Sequence, residues 1–552
     1  MTAHAMSPRC DLLDAVPFND RTFAAVIKRA AVRGDRTFLV APGGSLTFAQ
    51  LPGAVARTAG ALQMAGAVPG GRVAIFLNNR VEFVLGWWGA IWAGSVACLV
   101  HREFKGHILA RTLKSLSPDI IITEPDLLEH LVPIMDELRS VKSVLLAGGE
   151  VEAGGMVGPV SLLSWHAARA SAREIGPAPT HVTDDATIML TSGSTGPSKA
   201  VRKSQHFEFV YSALAAEGIQ LNETSRIWSA SPCSHVRTAN CAIYASLIVG
   251  AQVILGSSFS ASNFWQDMKA AGATHTYMSN WMANLLMKKP ATAEDRKTGV
   301  SVIHCMPPPA DPQGFADRFG IRLTGQGYGS TECYPLPQQL ATQDWTKLPG
   351  MLGRPHPLME VVVADENGFP VIADGKSVGE ILVRPRIPHA IFSGYFGDTE
   401  ATCEAFRDLW FHTGDSATID AEGNLYFVGR MSDAIRRRGE NISAWEIEQL
   451  VLAYEGIAEA AAYGMADKFG EQDVKLDIVI DNGKQVNLSA LVEHLTQQLP
   501  RFMVPRYIEI RDRLPKSPTG KIEKYVLRGL PMGDNVFDRE ELSRPRAAAS
   551  QP

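Results

Sequence analysis

The stretch FVLGWWGAIWAGSVACLV, residues 83–100, contains 18 residues and no charged side chain. Its length approaches that of a membrane span, but Gly86, Gly89 and Gly94 interrupt it. The run at 96–100 predicts a strand directly after a helix, with both elements buried. We therefore interpret the stretch as a helix–strand unit of a protein core and expect no integral membrane span.

Strand-like runs and helical patterns alternate around this stretch. Apolar runs at 72–77, 120–122 and 143–146 predict strands, and residues 48–64 carry a helical pattern. Such alternation is typical of parallel sheets that are covered by helices. The sequence therefore predicts the α/β fold class.

The pattern changes after residue 361. Short strand patterns at 381–383 and 424–427, separated by glycine turns, predict a small β-rich subdomain. From residue 432 the predicted elements run helix, strand, helix, strand, at residues 444–454, 475–480, 488–498 and 507–510. They predict a small α+β domain of about 100 residues, a usual domain size.

A chain of 552 residues is too long for one core, so more than one domain is expected. We predict a large N-terminal domain with several subdomains at residues 1–430. A small, mobile C-terminal domain is expected at 431–532, followed by a polar, flexible tail at 533–552.

The composition is that of an ordinary soluble protein, with 45% hydrophobic and 20% charged residues and a net charge of -5. This balance predicts no nucleic-acid partner. The seven cysteines are scattered and lack a C-x-x-C spacing, which argues against a disulfide framework and a zinc site. Residues 1–18 lack the apolar core of a signal peptide, so we expect a cytoplasmic location and leave a homodimer open.

A first polar motif, TSGSTGPSK at residues 191–199, directly follows an apolar strand pattern at 187–190. Small residues let backbone N–H groups close on a phosphate, the hydroxyl groups add donors, and the lysine adds a positive charge. The motif is not a Walker A loop, because Lys199 is neither preceded by glycine nor followed by Ser or Thr. From composition alone, a plain flexible loop remains an alternative.

A second motif, GQGYGSTE at residues 325–332, combines glycines with an aromatic ring, hydroxyl groups and a carboxylate. Tyr328 could stack on a base, Thr331 could bond a phosphate, and Glu332 could hold Mg²⁺, which prefers oxygen ligands. The alternative is a β-turn with a polar edge.

Two further motifs follow. Asp415, in WFHTGD at 410–415, could take both hydroxyl groups of a ribose, and Arg430 could close on the same sugar or on phosphates. A solvated loop pair is the alternative. The turn PKSPTGK at 515–521 presents Lys521, for which a surface-loop lysine is the alternative.

In this order and at these separations, the four motifs resemble those of the acyl-adenylate-forming superfamily. That superfamily includes acyl-CoA synthetases, nonribosomal-peptide adenylation domains and beetle luciferases. The resemblance extends from about Phe23 to Arg528, and the joint pattern is far more specific than any one motif. It implies a nucleotide- and acyl-binding N-terminal domain and a catalytic C-terminal domain.

The resemblance also implies roles for individual residues. The ATP site would comprise Thr191, Ser192, Gly193, Ser194, Thr195, Gly196, Lys199, Tyr328, Gly329, Thr331, Asp415 and Arg430. Glu332 would hold magnesium, and Lys521 would be the adenylation lysine. His235 is similar to the residue that gates the acyl pocket, where Gly325 and Gly327 would leave room. Gly439 and Glu440 resemble the loop that lines the tunnel for coenzyme A.

Together these features predict an ATP-dependent ligase that forms an acyl-adenylate and releases pyrophosphate. Coenzyme A is the expected acceptor, because the chain ends after the small domain and residues 438–443 resemble crotonobetaine/carnitine-CoA ligases. Transfer to an amine or to a carrier-protein thiol is the alternative within the fold. A non-catalytic nucleotide-binding protein would have no reason to combine Lys521, Glu332 and Asp415. A serine hydrolase using Ser330 is disfavoured because Glu332 breaks the Gly-x-Ser-x-Gly pattern.

The identity of the acid is not predicted, but Arg237 suggests a preference. It lies two residues after His235, in a segment from 231 to 241 that contains no Asp or Glu. A cation there would favour an acid with a second anionic or strongly polar group and would disfavour a quaternary ammonium. The alternative is an arginine that points away to a surface carboxylate.

Overall fold

The computed structural model describes residues 11–152, 154–191, 198–306, 308–309, 311–325, 327–334, 336, 350–431, 435–437, 440–442, 444–466, 472–499, 503–517, 520–533 and 535–542. The chain divides into two units. The first is drawn from the described residues of Met1–Thr191, Lys199–Val361 and Val383–Phe411. The second is drawn from those of Ser192–Ser198, Val362–Leu382 and His412–Pro552. The predicted domain division near residue 430 stays a prediction.

A mostly parallel sheet of the first unit contains the stretch quoted above. Over the described residues, its strands lie in the order Ala200–Ser204, Asp185–Leu190, Val96–Leu99, Arg72–Ile75, Ile120–Thr123, Ser143–Leu146, Val160–Ser164 and Met156–Val157. The outermost strand on each side pairs antiparallel with its neighbour, and the strands between them are parallel. The predicted parallel α/β arrangement is confirmed.

The helix Val81–Trp92 is buried along its whole length, as expected of a helix that is apolar on all sides. A Cβ at Gly89 would lie 2.6 Å from Thr58 Cγ2, so glycine lets the helix Leu51–Met64 approach closely. Gly94 has φ +82° and turns the chain into the strand Val96–Leu99. The predicted helix–strand unit is confirmed. Among the described helices, none is both long and apolar enough to cross a membrane.

A second sheet of the first unit prepares the site described below. Over the described residues, its strands lie in the order Arg322–Thr324, Val302–Cys305, His275–Met278, Arg226–Ser229, Gln252–Leu255, Thr37–Ala41 and Gly44–Thr47. All neighbours are parallel except the last pair. The central strands are buried on both faces, as parallel strands covered by helices usually are. The carboxyl ends of parallel strands share one edge, where ligands of such sheets bind.

Helices connect and cover these strands. Several begin with a side chain that accepts a hydrogen bond from a free backbone N–H: Thr22, Ser164, Ser204, Asp311 and Asp398. Besides Leu51–Met64 and Val81–Trp92, the described α-helices of the unit are Asp11–Asp14, Phe23–Ala31, Gly106–Leu116, Pro125–Leu131, Trp165–Ser171, Gln205–Gly218, Val236–Thr238, Ala245–Val249, Phe264–Ala270, Asn280–Met287, Pro312–Phe319 and Thr399–Ala405. Phe18–Asp20 and Val132–Glu137 are 3₁₀ helices, and Ala239–Tyr244 is a π-helix.

The β-rich segment expected after residue 361 is confirmed. Its strands are Met351–Gly353, Met359–Ala364, Gly379–Pro385, Phe406–Arg407, Trp410–Ile419 and Leu425–Arg430. The last two form an antiparallel hairpin in which Asp415 lies opposite Arg430.

The C-terminal part has the predicted α+β composition. A hairpin of Ile435–Arg437 and Glu440–Ile442 precedes a sheet whose strands lie in the order Ile457–Ala466, Gln472–Ile480, Tyr507–Ile510 and Phe537–Asp538. The helices are Ala444–Leu452, Leu488–Gln498, Lys524–Gly529 and Arg539–Leu542. The core between them includes Ile447, Val451, Leu476, Leu491 and Ile508.

The flexible tail expected at 533–552 is corrected in part. Residues 537–538 pair with the strand Tyr507–Ile510, with Asp538 opposite Tyr507. Arg506 holds this segment through Asp538 at 3.3 Å and Glu540 at 3.4 Å. The polar composition suggested a loose tail, but here the carboxylates are counter-ions of an arginine.

Candidate active site

The two ends of the motif at 191–199 are bonded to each other. The strands on either side pair antiparallel, with Ala200 opposite Leu190. Thr191 N donates to Lys199 O at 2.9 Å, and Lys199 N donates to Thr191 Oγ1 at 2.9 Å. Thr191 and Lys199 therefore close the base of the loop that the motif forms; we call this pair the neck of the motif. Its other predicted phosphate-binding residues lie outside the described residues: Ser192, Gly193, Ser194, Thr195 and Gly196.

Tyr395 connects this first motif to the second. Lys199 Nζ lies 4.8 Å from the centroid of the Tyr395 ring. On the same side chain, Tyr395 Oη donates to Glu332 Oε1 at 3.1 Å. Burial and then the neighbouring Glu332 carboxylate raise the pKa of Tyr395, so the phenol keeps its proton and remains a donor. A cation and a carboxylate from separate motifs thus share one aromatic side chain.

Backbone pairing fixes Tyr395 in this place. Tyr395 forms an antiparallel bridge with Val201, and Phe396 N donates to Ala200 O at 2.7 Å. Gly394, with φ +107°, allows the turn that precedes them. Sequence analysis missed Tyr395, since the only local signal was an aromatic residue after a glycine, which is common in loops.

The second motif is a tight turn that exposes Thr331 and Glu332 in part. Ser330 N donates to Cys333 O at 2.8 Å, and Glu332 N donates to Ser330 Oγ at 3.2 Å. Phe392 N donates to Glu332 O at 2.9 Å and anchors the turn from the other side. Two independent attachments therefore hold the backbone of Glu332, and Tyr395 binds its carboxylate.

The glycines of this motif are required by the backbone. A Cβ at Gly329 would lie 2.3 Å from the ring of Tyr334. Gly327 has φ +151°, and Tyr328, which follows it, is buried at 7% exposure. A Cβ at Gly325 would lie 2.8 Å from Cys305 O, so this glycine permits close approach of two backbone segments. The predicted part of Gly325 and Gly327 in an acyl pocket stays a prediction.

His235 lies beside the carboxyl edge of the second sheet. Asn79 holds its segment, donating from Nδ2 to Ser231 O at 2.9 Å and accepting at Oδ1 from Cys233 N at 2.9 Å. His235 Nδ1 accepts from Arg237 N at 3.1 Å, which assigns the ring proton to Nε2. Burial, followed by the charge of Arg237, lowers the pKa of His235 to about 3. The imidazole is therefore neutral at neutral pH.

Arg237 points to the ends of two neighbouring strands. Its Nη1 donates to Ser279 Oγ at 2.9 Å, and its Nη2 donates to Met306 O at 3.4 Å. Among the described residues, no carboxylate forms an ion pair with this guanidinium. Hydroxyl and carbonyl oxygens at the sheet edge hold the side chain, and no described residue supplies the surface carboxylate that the alternative requires.

Asp415 and Arg430 form a pair within the second unit. Arg430 Nε lies 3.2 Å from Asp415 Oδ1, as their positions in the hairpin require. Asp415 is 4% exposed, so the alternative of a solvated loop pair is wrong. Thr413 Oγ1 accepts from Asp415 N at 3.1 Å, and Glu380 Oε1 accepts from Gly414 N at 2.9 Å. Sequence analysis missed Thr413 and Glu380, which hold the backbone around the predicted ribose carboxylate.

Lys521 closes a short turn of the second unit and has an exposed side chain. Ser517 N donates to Lys521 O at 2.8 Å, and Lys521 N donates to Ser517 Oγ at 3.2 Å. Gly520 has φ +80°, and an ion pair of 2.7 Å between Lys516 and Glu459 anchors the turn. The lysine thus follows a turn whose ends are bonded to each other.

The predicted tunnel for coenzyme A is described only in part. Glu440 begins the second strand of a hairpin and lies opposite Arg437. Gly439 lies outside the described residues.

Magnesium fits Glu332 only as a shared ligand. In the part of the chain that the structure describes, no group of three or more His, Cys, Asp or Glu side chains could hold a metal ion alone. Mg²⁺ commonly binds to one or two carboxylates together with substrate phosphates. The partly exposed Glu332 carboxylate, oriented by Tyr395, suits that mode.

Known protein families match both parts of the chain. Residues 26–396 match the family described as "AMP-binding enzyme", and residues 446–521 match "AMP-binding enzyme C-terminal domain". A crotonobetaine/carnitine–CoA ligase of Salmonella paratyphi A is 29% identical over 516 residues, which cover 90% of this chain and 97% of the relative.

Two solved structures show the same fold at low identity. An anthranilate CoA ligase in complex with anthranoyl-AMP has a TM-score of 0.83 and 20% identity, covering 94% of this chain and 98% of its own. An O-succinylbenzoate coenzyme A synthetase from Bacillus subtilis, in complex with ATP and magnesium, has a TM-score of 0.78 and 23% identity. That match covers 91% of this chain and 99% of the Bacillus chain.

Proposed function

Because the chain belongs to the AMP-binding enzyme family, we propose that it is an acyl-CoA synthetase that works through an acyl-adenylate. A carboxylate oxygen of the acid attacks the α-phosphorus of ATP, the bond to pyrophosphate breaks, and acyl-AMP forms. The thiol sulfur of coenzyme A then attacks the acyl carbonyl carbon. AMP leaves with the bonding electron pair, and the thiol proton passes to water.

The observation that carries this proposal is the Lys199–Tyr395–Glu332 arrangement. A carboxylate and ATP repel each other, so the site must supply positive charge while it holds both reactants in line. Lys199 supplies a cation at the neck of the phosphate motif, and Tyr395 keeps Glu332 beside it. Mg²⁺ bound at Glu332 would neutralise phosphate charge. Thr331, on the same turn, is the proposed hydroxyl donor to phosphate.

The buried pair Asp415 and Arg430 supports the nucleotide part of the proposal. Asp415 is 4% exposed, and Arg430 Nε lies 3.2 Å from its Oδ1, so the hairpin holds a buried carboxylate next to a cation. We propose that Asp415 takes the ribose hydroxyl groups of ATP. Tyr328 and Gly329 are proposed at the adenine.

Lys521 is proposed to act in adenylation alone. Its ammonium would neutralise charge where the acid carboxylate attacks the α-phosphorus. The proposed mobile C-terminal domain would then present the Gly439–Glu440 region for thioester formation, which separates the two half-reactions.

The proposal is tested by measuring pyrophosphate release across a library of carboxylic acids with ATP and Mg²⁺. The expected result is acid-dependent release of pyrophosphate and AMP, with acyl-CoA as product when coenzyme A is supplied. Parallel reactions contain an amine or a phosphopantetheinyl carrier protein instead. Faster transfer to either of these would overturn the choice of coenzyme A, and release without any acid dependence would overturn the ligase proposal.

A further inference from the structure

Arg237 occupies the place where sheets of this kind bind ligands. Ser279 directly follows the strand His275–Met278, and Met306 directly follows the parallel strand Val302–Cys305. The guanidinium bonds to both residues, so it spans the carboxyl ends of adjacent strands. The proposed gate residue His235 bonds to the backbone of Arg237 itself.

The described titratable groups that act on Arg237 or bond to it carry no negative charge. Burial raises the pKa of the Cys241 and Cys305 thiols to about 12, and it raises the pKa of the Tyr211 phenol. These groups are therefore neutral at neutral pH. Burial also lowers the pKa of His235 and His304, so both imidazoles are neutral as well.

Lys203 is a second cation in this region, close enough for its charge to lower the pKa of His235, and it has a carboxylate partner. Its side chain is fully buried, and its Nζ lies 3.2 Å from Glu208 Oε2 and 2.7 Å from Asn240 Oδ1. The chain thus provides a carboxylate for the lysine. Among the described residues it provides none for Arg237, whose acceptors are an uncharged hydroxyl and an uncharged carbonyl.

We propose that Arg237 binds a second carboxylate of the acid substrate, so that the enzyme activates dicarboxylic acids. A guanidinium stays charged in proteins and has five N–H donors, of which the two bonds described use two. A carboxylate can take two of the remaining donors side by side. The other carboxylate of the substrate is then free to attack ATP. An acid that carries a quaternary ammonium would meet like charge and would be disfavoured. This inference rests on the proposed ligase function and specifies its substrate class.

The test compares each dicarboxylic acid with its own mono-methyl ester, which has the same carbon chain but only one carboxylate. The measured quantity is the ratio of kcat/KM for acid-dependent pyrophosphate release, diacid over half-ester. Wild type is expected to prefer the diacid about tenfold or more, as is typical of a hydrogen bond to a charged group. In Arg237→Met the ratio should fall by about the same factor, and in Arg237→Lys it should fall less.

Arg322→Met is the matched control, because Arg322 is an exposed arginine of the same sheet that bonds to Gln220. Its ratio should equal that of wild type. Thermal unfolding verifies that each variant is folded, and a titration of diacid and half-ester into the protein replaces kinetics for any inactive variant. An unchanged ratio in Arg237→Met, or a wild-type preference for half-esters, would overturn the proposed carboxylate site at Arg237 but not the proposed ligase function. Pyrophosphate release with no acid at all would instead reject the proposed function.

Discussion

The Tyr395 hydroxyl donates to Glu332 Oε1 at 3.1 Å, while the ring of the same tyrosine lies 4.8 Å from Lys199 Nζ. Tyr395 is 63 residues from Glu332 in the sequence. It joins a carboxylate suited to Mg²⁺ to the lysine of the phosphate motif. The roles proposed for Glu332 and Tyr395 can therefore be tested separately.

Glu332→Gln should raise the Mg²⁺ concentration needed for activity and lower adenylation, on the order of tenfold or more. The amide keeps the shape and can still accept from Tyr395, but it lacks the charge that a hard cation needs. The measurement is pyrophosphate release as a function of Mg²⁺ at fixed ATP. A variant with wild-type magnesium dependence would remove Glu332 from the metal site.

Tyr395→Phe should lower kcat/KM for ATP by roughly 10- to 100-fold, the value of a hydrogen bond to a charged group. The variant keeps the aromatic ring next to Lys199 and loses only the hydrogen bond to Glu332. The magnesium requirement should rise as well, which a merely structural defect would not produce. Tyr426→Phe is the control, because Tyr426 Oη also donates to a carboxylate, Asp420 Oδ2, at 2.8 Å. Equal effects of the two variants would refute a special role for Tyr395.

Lys521→Ala should separate the two half-reactions. Acid-dependent pyrophosphate exchange should fall about 10²- to 10³-fold, as for loss of one transition-state donor. Conversion of supplied acyl-adenylate and coenzyme A to thioester should continue. Lys484→Ala, an exposed lysine of the same unit that pairs with Glu455, should leave both rates unchanged. If Lys521→Ala lowered the rates of both half-reactions equally, the proposal that Lys521 acts only in adenylation would be contradicted.

Acid should destabilise the fold through buried histidines, and His206 allows a test. It is fully buried, and burial lowers its pKa to about 3. In the unfolded chain this histidine takes up a proton near pH 6.5, whereas in the folded chain it does so only near pH 3. The free energy of unfolding is therefore highest above pH 6.5 and decreases as the pH falls toward 3. For this residue the loss between pH 6.5 and 5 is about 2 kcal/mol.

His206→Met should therefore lose less Tm than wild type between pH 7 and pH 5. Neither ring nitrogen of His206 has a hydrogen-bond partner among the described residues, so an apolar side chain is a suitable replacement. His166→Met serves as the exposed control. If the pH dependence of Tm in His206→Met matches that of wild type, His206 does not contribute to acid sensitivity.

The local sequence pattern was sufficient to predict much of the secondary structure of this protein. The run at 83–100 predicted a buried helix and strand, because its glycines allow close packing and it has no charged side chain. In the C-terminal part, periodicity predicted the helices and strands at 444–454, 475–480, 488–498 and 507–510, but it missed the strand Ile457–Ala466. The glycines of the second motif and the turn before Lys521 were also predictable, since turn residues act through their own backbone.

The tertiary structure decided the rest through contacts between distant residues. The strand Ile457–Ala466 is rich in alanine and has a weak strand signal, yet it forms because it pairs along its length with Gln472–Ile480. Tyr395 becomes a link between motifs only because its segment pairs beside Val201.

The same reason explains Arg237. Its sequence position near His235 is local information, but the absence of a carboxylate partner among the described residues depends on which strand ends meet at the sheet edge. Ser279 and Met306 lie 42 and 69 residues away along the chain. Sequence by itself determined the family, the fold and the reactive residue types. Only the folded chain decided which charges are paired, because pairing depends on proximity in space.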